Sequence, residues 1–225
     1  MNKESLFNRT RFIPIVGILC YVALYIIAAQ LYPGGSHWNV DRAGFDWSNN
    51  YWCNLLDKYA INGELNPGRP YAIIGMYVLC LSLAFFFYQF PHFFKLEYPW
   101  DIIVVWSGVL ATTFALLVST VLHDIMSIFA SLFGTISIVG IFSGLRKKKM
   151  ISFIWTGMIC VFLLVVNAYI YFSKNYIDTL PIIQKITFVV ILLWVVTLNL
   201  MFGVEKELVP IKRNLKPTKK SLTKK

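Results

Sequence analysis

The stretch "IIVVWSGVLATTFALLVSTVLHDIMSIFASLFGTISIVGIFSGL", residues 102–145, holds two apolar runs that are separated only by His123 and Asp124. Each run has about 20 residues, the length that an α-helix needs to cross the hydrocarbon core of a bilayer. Neither run contains Asp, Glu, Lys or Arg. Continuous apolar runs favour helices over barrel strands, in which polar and apolar residues alternate. The stretch therefore predicts two membrane-spanning helices joined by a tight turn.

The rest of the chain repeats this pattern. Its 225 residues are 57% hydrophobic and 14% charged, whereas about a quarter of the residues are charged in a typical soluble domain. We predict an all-α integral membrane protein with one domain, residues 1–205, built as a six-transmembrane-helix bundle. We interpret the first run as a retained helix, because no small-x-small cleavage pattern follows it. The predicted spans are residues 12–32, 71–90, 102–122, 125–145, 150–172 and 186–204.

Basic residues predict the orientation. With six spans, the N-terminal segment, the "RKKK" turn at residues 146–149 and the Lys-rich tail at residues 206–225 share one side. Because Lys and Arg accumulate in cytoplasmic segments, we expect a multi-pass protein of the cell membrane with both termini in the cytoplasm. The composition of the tail predicts disorder. The net charge of +10 reflects this bias, so we expect the lipid bilayer, and no nucleic acid, as the partner.

The loop at residues 33–70 is predicted to lie outside. Within it, the spacing of the apolar residues predicts an amphipathic interfacial helix over about 47–60, capped by Asp46 or Ser48. Arg69 is expected at headgroup depth, where it pairs with lipid phosphate, with an acidic residue of the loop or with a substrate anion. The apolar positions that define the predicted stripe are Trp47, Tyr51, Trp52, Leu55, Leu56 and Tyr59.

The predicted topology gathers reactive side chains on the outer side. Ser119 and His123 are four residues apart and so share a helix face. We expect His123, Asp57 and Asp46 to converge on one site beneath the loop helix. The candidate catalytic residues are His123, Asp124, Asp57, Asp46 and Ser119. The candidate ligand-binding residues are Trp52, Asn54, Asp57, Arg69 and His123.

Three short motifs carry a resemblance to a known family. They are "NNYWCNLLD" at residues 49–57, "NPGRP" at residues 66–70 before the second span, and "LHD" at residues 122–124. Together they resemble the six-span bacterial and archaeal membrane proteins of the domain-of-unknown-function 998 family. The family's Asp-Leu-Gly-like position reads "NLLD" here, which is a departure. The resemblance implies a six-span fold and an outer-face site, and it implies no activity.

A second resemblance concerns metal binding. The spacing of Ser119 and His123 is similar to the Ser-x-x-x-His of the alkaline ceramidase and progestin-receptor-like superfamily, whose members hold zinc. A zinc site needs about three protein ligands. The sixth run contains no histidine, so the metal candidates of this chain are His37, His123 and Asp57.

Three classes of function therefore compete. We predict no cofactor for this protein. We expect first a protein that binds a lipid or a small molecule at an outer-face site, as a sensor or an accessory subunit. The alternative is a membrane-interface hydrolase with His123 as base or metal ligand. A transporter comes third, because the predicted spans are continuous and carry few polar residues.

Overall fold

Six long helices follow one another along the chain. The computed structural model describes residues 10–119 and 122–214, with the backbone alone for Ser119, His123 and residues 202–214. No strand occurs in this part of the chain, as the all-α prediction requires. The helices are α1 Ile13–Gln30, α2 Arg69–Phe94, α3 Trp100–Leu116, α4 His123–Lys147, α5 Ile151–Ser173 and α6 Leu180–Asn214.

Within the described ranges, five of the helices are long and apolar enough to cross a membrane, namely α1, α2, α4, α5 and α6. Helix α3 has 17 residues. The prediction extended this helix to residue 122. In the structure the α-helix ends earlier and passes into the 3-10 turn Leu117–Ser119. By length and composition the chain is thus a multi-pass helical membrane protein, and the sixth span stays a prediction.

The helices pack in chain order. Each helix contacts the next, and α6 also contacts α1. Small residues permit the close approaches, because a Cβ atom built on Gly108 of α3 would overlap the Phe87 ring of α2. Between α3 and α4, the Ser137 hydroxyl donates to the Val104 carbonyl at 3.1 Å. Helix α5 is the least buried of the five candidate spanning helices. Only 11% of its spanning window is buried, against 39% in α1 and in α2.

Residues 31–68 connect α1 to α2 and fold over one end of the bundle. We call these residues the cap and this end the loop end. The predicted amphipathic helix over 47–60 is wrong. The structure has instead a single 3-10 helix, Trp52–Leu56. The reason is the density of Asp and Asn, whose side chains bind the backbone and so compete with helical hydrogen bonds.

The opposite end of the bundle carries the α2–α3 and α4–α5 turns. There the Lys147 ammonium pairs with the Glu97 carboxylate at 2.8 Å. Helix α6 runs to Asn214, so the predicted boundary of a disordered tail at residue 206 falls inside a helix. The rest of the predicted tail, residues 215–225, lies outside the described residues.

Candidate functional site

Side-chain amides and one carboxylate build the cap. Asp46 Oδ1 accepts hydrogen bonds from the backbone N–H groups of Ser48 at 3.0 Å and Asn49 at 3.3 Å. Asn54 Oδ1 accepts from the Tyr51 N–H at 2.8 Å. The buried Asn66 donates to the carbonyls of Leu55 and Asp57 and accepts from the Gly68 N–H. These bonds satisfy the backbone groups that an irregular segment leaves unpaired.

Two side chains of α6 hold the cap to the bundle. Gln184 Oε1 accepts from the Trp52 backbone N–H at 3.0 Å. Lys185 Nζ donates to the Asn50 carbonyl and, at 3.0 Å, to the Pro181 carbonyl of its own helix. From the other side, the Trp52 indole N–H donates to the Tyr21 hydroxyl of α1. The 3-10 helix of the cap is therefore fixed between α1 and α6.

A cavity of about 580 Å³ lies beneath this 3-10 helix. The cap supplies Tyr51, Trp52 and Cys53 to its wall, and α1 and α2 supply Tyr25 and Met76. Most of the remaining residues of the wall come from α4, α5 and α6. The wall is mainly apolar, with a few polar side chains. Those polar side chains are Asp124, Ser127, Ser131, Asn167, Tyr171, Gln184 and Thr187.

Tyr25, which also lines the cavity, carries a buried polar group that has no hydrogen-bond partner among the described residues. The Tyr25 side chain is 1% exposed, and its hydroxyl is buried without a partner. Its ring stacks on Trp52, with 5.2 Å between the ring centroids. Asn167, in contrast, bonds across the helix interface, because its Nδ2 donates to Thr187 Oγ1 at 2.6 Å.

The opening of the cavity lies between α4 and α5. Asp124, Ile128 and Phe172 line the cavity and are also exposed, and we call these three residues the mouth. The Tyr171 hydroxyl is within hydrogen-bonding reach of the Asp124 carboxylate across the mouth. Ile128 is 46% exposed and Phe172 is 63% exposed. Apolar side chains exposed at this position indicate that the mouth faces lipid.

Cys53 lines the cavity but is no nucleophile. Burial and, to a smaller extent, the neighbouring Asp57 carboxylate raise the pKa of its thiol to about 11, although Lys185 acts to lower it. The thiol is therefore protonated at neutral pH, and a thiolate is the reactive form of cysteine. Its role in the wall is that of a small apolar side chain.

Asp46, a catalytic candidate, is a structural residue of the cap. It is 3% exposed, does not line the cavity, and pairs with Arg42 at 3.3 Å. Burial alone would raise its pKa, but the hydrogen bonds from Asn49 and Ser48 and the charge of Arg42 outweigh burial and lower it. Asp46 is therefore an ionised hydrogen-bond acceptor that shapes the cap.

Most of the other predicted ligand-binding residues also act within the cap. Asn54 is buried, and its Nδ2 donates to Asp57 Oδ2 at 3.4 Å. Asp57 is exposed and lies outside the cavity wall. Arg69 Nε donates to the Leu56 carbonyl at 2.9 Å, where the prediction named lipid, an acidic residue or a substrate anion as its partner. Of the predicted binding residues with described side chains, Trp52 alone lines the cavity.

The predicted catalytic residues of the α3–α4 turn are only partly described. Ser119 ends the 3-10 turn and His123 begins α4, but their side chains lie outside the described part. Asp124 lies at the mouth. His37, a metal candidate, packs edge-on against the Tyr51 ring at 5.4 Å. The described side chains contain no group of three His, Cys, Asp or Glu residues placed to hold a metal ion.

Several residues of the wall were not identified from the sequence. Tyr25 and Tyr171 lie inside apolar runs, where an aromatic residue has no feature that separates a cavity wall from a packed core. Asn167 lies near the end of the fifth apolar run and lines the cavity. Gln184 precedes residue 186, where the sixth span was predicted to begin. In the structure the corresponding helix, α6, begins six residues earlier, at Leu180. For Asn167 and Gln184, the one sign in the sequence of a place in the cavity wall was a polar residue near the end of a predicted helix.

The fold and the cavity define a class, that of multi-pass helical membrane proteins with a capped cavity at one end. Comparison of the chain with protein-family models, with curated proteins and with solved structures finds no match. The resemblance to the domain-of-unknown-function 998 family therefore stays a prediction. The function has to be argued from the cavity itself.

Proposed function

We propose that this chain binds a lipid or a small amphipathic molecule in the cavity beneath the cap, in a sensing or accessory role. The volume of the cavity supports this proposal. Ligand sites are commonly clefts of roughly 300–1,000 Å³ with mainly apolar walls and a few polar groups. The cavity, at about 580 Å³, lies within that range and has such a wall.

The Tyr25 hydroxyl is the observation that carries the proposal. Buried polar groups almost always have a hydrogen-bond partner, and leaving one unsatisfied costs about 1–3 kcal/mol. Tyr25 lines the cavity, and its hydroxyl is buried and has no partner among the described residues. A ligand that brings a hydroxyl, carbonyl or ether group up to this hydroxyl would provide the missing partner.

The residues of the mouth support a second part of the proposal, namely that the ligand is amphipathic and enters from the bilayer. Ile128 and Phe172 offer an apolar rim, and Asp124 and Tyr171 offer polar groups beside it. A molecule that enters here keeps its chain among apolar side chains and its head near the polar ones. This arrangement matches the amphipathic environment of the membrane interface.

A brominated amphiphile tests the proposal. We expect 11-bromoundecanol, added to the protein in nanodiscs, to quench the fluorescence of Trp52, because bromine quenches indoles at short range. Ala168→Phe places a large ring in the cavity wall and should abolish saturable quenching. Val165→Phe introduces the same ring one turn earlier on α5, at an exposed position outside the wall, and should leave quenching unchanged.

Trp52→Phe identifies the signal, because it should remove the saturable component of the quenching. The proposal fails if the quenching of the parent protein does not saturate with probe concentration. It also fails if the probe quenches the fluorescence of Ala168→Phe and of Val165→Phe alike while both variants remain folded.

We further propose that the loop end faces the outside of the cell membrane and that both termini are cytoplasmic. The positive-inside bias of the loops supports this orientation. Gly63→Cys, at an exposed turn of the cap, should react with a membrane-impermeant maleimide in intact cells. The protein with its four natural cysteines alone is the control. If the variant is labelled only after cell disruption, the loop end faces the cytoplasm and the proposed orientation is wrong.

A further inference from the structure

We infer that a groove between α2 and α3 binds a phospholipid whose head carries a primary ammonium group, as in phosphatidylethanolamine. The groove has a volume of about 670 Å³ and lies at the end of the bundle opposite the cap, between the last turns of α2 and the first turns of α3. We call it the α2–α3 groove. It shares no described residue with the cavity beneath the cap, so the inference does not depend on the proposed function.

Exposed aromatic side chains indicate that the α2–α3 groove lies at the depth of the lipid heads. Tyr88 of α2 and Trp106 of α3 line the groove and are 62% and 63% exposed. Tyr98 of the α2–α3 turn and Trp100 at the start of α3 are exposed beside it. Tyr and Trp are enriched where the hydrocarbon core meets the lipid heads. A lipid can therefore lay its chain against the bundle here while its head stays at the membrane surface.

A carboxylate in this groove lacks a donor. Asp101 lines the groove, and its Oδ1 is buried without a hydrogen-bond partner among the described residues. Asp101 lies in the first turn of α3, where the helix dipole favours a negative charge. The dipole nevertheless supplies no hydrogen bond to this oxygen, and buried acceptors almost always have one. A ligand that brings an N–H group up to the carboxylate would satisfy it, and a primary ammonium offers three such groups.

A cation lines the same groove. Lys95 directly follows the last residue of α2 and is exposed, and His92, three residues earlier, also borders the groove. Among the described residues, neither Lys95 nor Asp101 takes part in an ion pair, so their charges are too far apart to pair with each other. Lys147, at the same end, pairs with Glu97. The groove thus presents a positive and a negative group that are both open to a ligand.

A lipid head with both charges matches these two groups. In an ethanolamine phosphate head, the ammonium can donate to Asp101 and the phosphate can bind Lys95 as a point charge. A choline head also has both charges, but its quaternary ammonium has no N–H group and leaves the buried oxygen of Asp101 without a donor. A glycerol phosphate head brings a net negative charge towards Asp101. The groove therefore favours phosphatidylethanolamine over phosphatidylcholine and phosphatidylglycerol.

Lipid retention, measured by native mass spectrometry, tests the inference. The protein in a mild detergent is titrated separately with dioleoyl phosphatidylethanolamine, phosphatidylcholine and phosphatidylglycerol. We expect the parent protein to retain phosphatidylethanolamine in preference to the other two. Asp101→Asn should reduce the preference over phosphatidylcholine by roughly fivefold, the size expected for an ion pair at a partly exposed site. Lys95→Gln should weaken the retention of all three lipids alike, because they share the phosphate.

Glu97→Gln is the matched control, because Glu97 carries the same charge at the same end but lies outside the groove. It should keep the preference, and so should Ala168→Phe, which fills the cavity beneath the cap. An equal loss of preference in Glu97→Gln and Asp101→Asn would indicate a general effect of surface charge and overturn the inference.

Two other results would also overturn it. The first is a parent protein that retains phosphatidylethanolamine no better than phosphatidylcholine, or that retains phosphatidylglycerol best. The second is a loss of the preference in Ala168→Phe, which would assign the lipid to the cavity beneath the cap. The quenching of Trp52 by 11-bromoundecanol is measured separately, so either proposal can fail while the other stands.

Discussion

Helix α5 packs in opposite ways at its two ends. Near the opposite end of the bundle, Gly157 lies against Phe142 and Trp194, and the Trp194 indole N–H donates to the Phe153 carbonyl at 3.0 Å. Near the loop end, residues 164–172 of the same helix line the cavity. Both ends are strongly apolar. The difference shows that hydropathy alone does not determine where this bundle closes, and that side-chain size and shape contribute.

Glycine is the reason that the first end closes. A Cβ atom on Gly157 would lie 2.7 Å from a ring atom of Trp194, a distance that requires the ring to move. In the absence of a Cβ, α4, α5 and α6 meet at this point. In a bilayer, helices associate through such close van der Waals packing, because lipid chains are as apolar as the side chains.

At the loop end, polar contacts add to apolar packing. Asn167 and Thr187 join α5 to α6. The cap packs Phe45, Leu55 and Leu56 into the hydrophobic core, and Gln184 and Lys185 add hydrogen bonds to it. The cavity remains because large side chains from neighbouring helices do not fill the space between them. The cap lies over this end and forms one wall of the cavity, which is why we propose the cavity as a binding site.

The largest expected effect concerns the closed end of α5. Gly157→Ala should destabilise the protein by about 1–3 kcal/mol, the usual cost of extra volume in a well-packed core. Gly134→Ala on α4 is the control, because its Cβ would meet only Ala111 at 3.9 Å, which is ordinary contact. The control should be neutral or stabilising, since alanine favours helices by about 1 kcal/mol over glycine.

Thermal or denaturant unfolding in a mild detergent measures both variants. A loss of stability in Gly134→Ala equal to that in Gly157→Ala would show that the two positions are packed alike. The contrast between a closed and an open end of α5 would then no longer hold.

A smaller effect is expected in the cap. Asp46→Asn removes the pairing with Arg42 and the bond from the Asn49 amide, which should cost about 1 kcal/mol at pH 7. The folded pKa of Asp46 is lowered, so its contribution is present above the unfolded pKa of about 3.9 and is lost as the pH falls through the folded value. The stability difference between parent and variant should therefore shrink below about pH 4.

The unfolding temperature, measured between pH 3 and pH 7, checks this expectation. Asp41→Asn, at an exposed position of the same segment, is the control and should follow the parent protein at every pH. A difference between parent and Asp46→Asn that stays constant across the range would show that the charge of Asp46 does not hold the cap.

The helices were predictable because the bilayer imposes one rule along the whole chain. A run of apolar residues must satisfy its own backbone, and a helix does so locally. For this reason runs such as residues 12–32 and 150–172 correspond to α1 and α5 within a few residues. The turn between α3 and α4 was predicted at His123 and Asp124, but it lies earlier in the chain, because α3 ends at Leu116 and both residues already belong to α4.

The cap was not predictable in the same way. The spacing of Trp47, Tyr51 and Trp52 is that of an amphipathic helix, yet Asp46, Asn50 and Asn54 bind backbone groups nearby and stop the helix from forming. The competition between these local bonds and helical bonds depends on where the aromatic side chains find partners. Trp52 finds them in Tyr21 and Tyr25, which lie about 30 residues earlier in the chain.

The sequence by itself determined that the chain is an apolar helical bundle with a polar segment between its first two long helices. It did so because burial of apolar residues in lipid depends on composition and length, which are local properties. The tertiary structure alone decided which side chains surround the cavity. Tyr25, Asp124 and Tyr171 come from three helices that are far apart in the chain, and they line one cavity only because these helices pack side by side in the bundle.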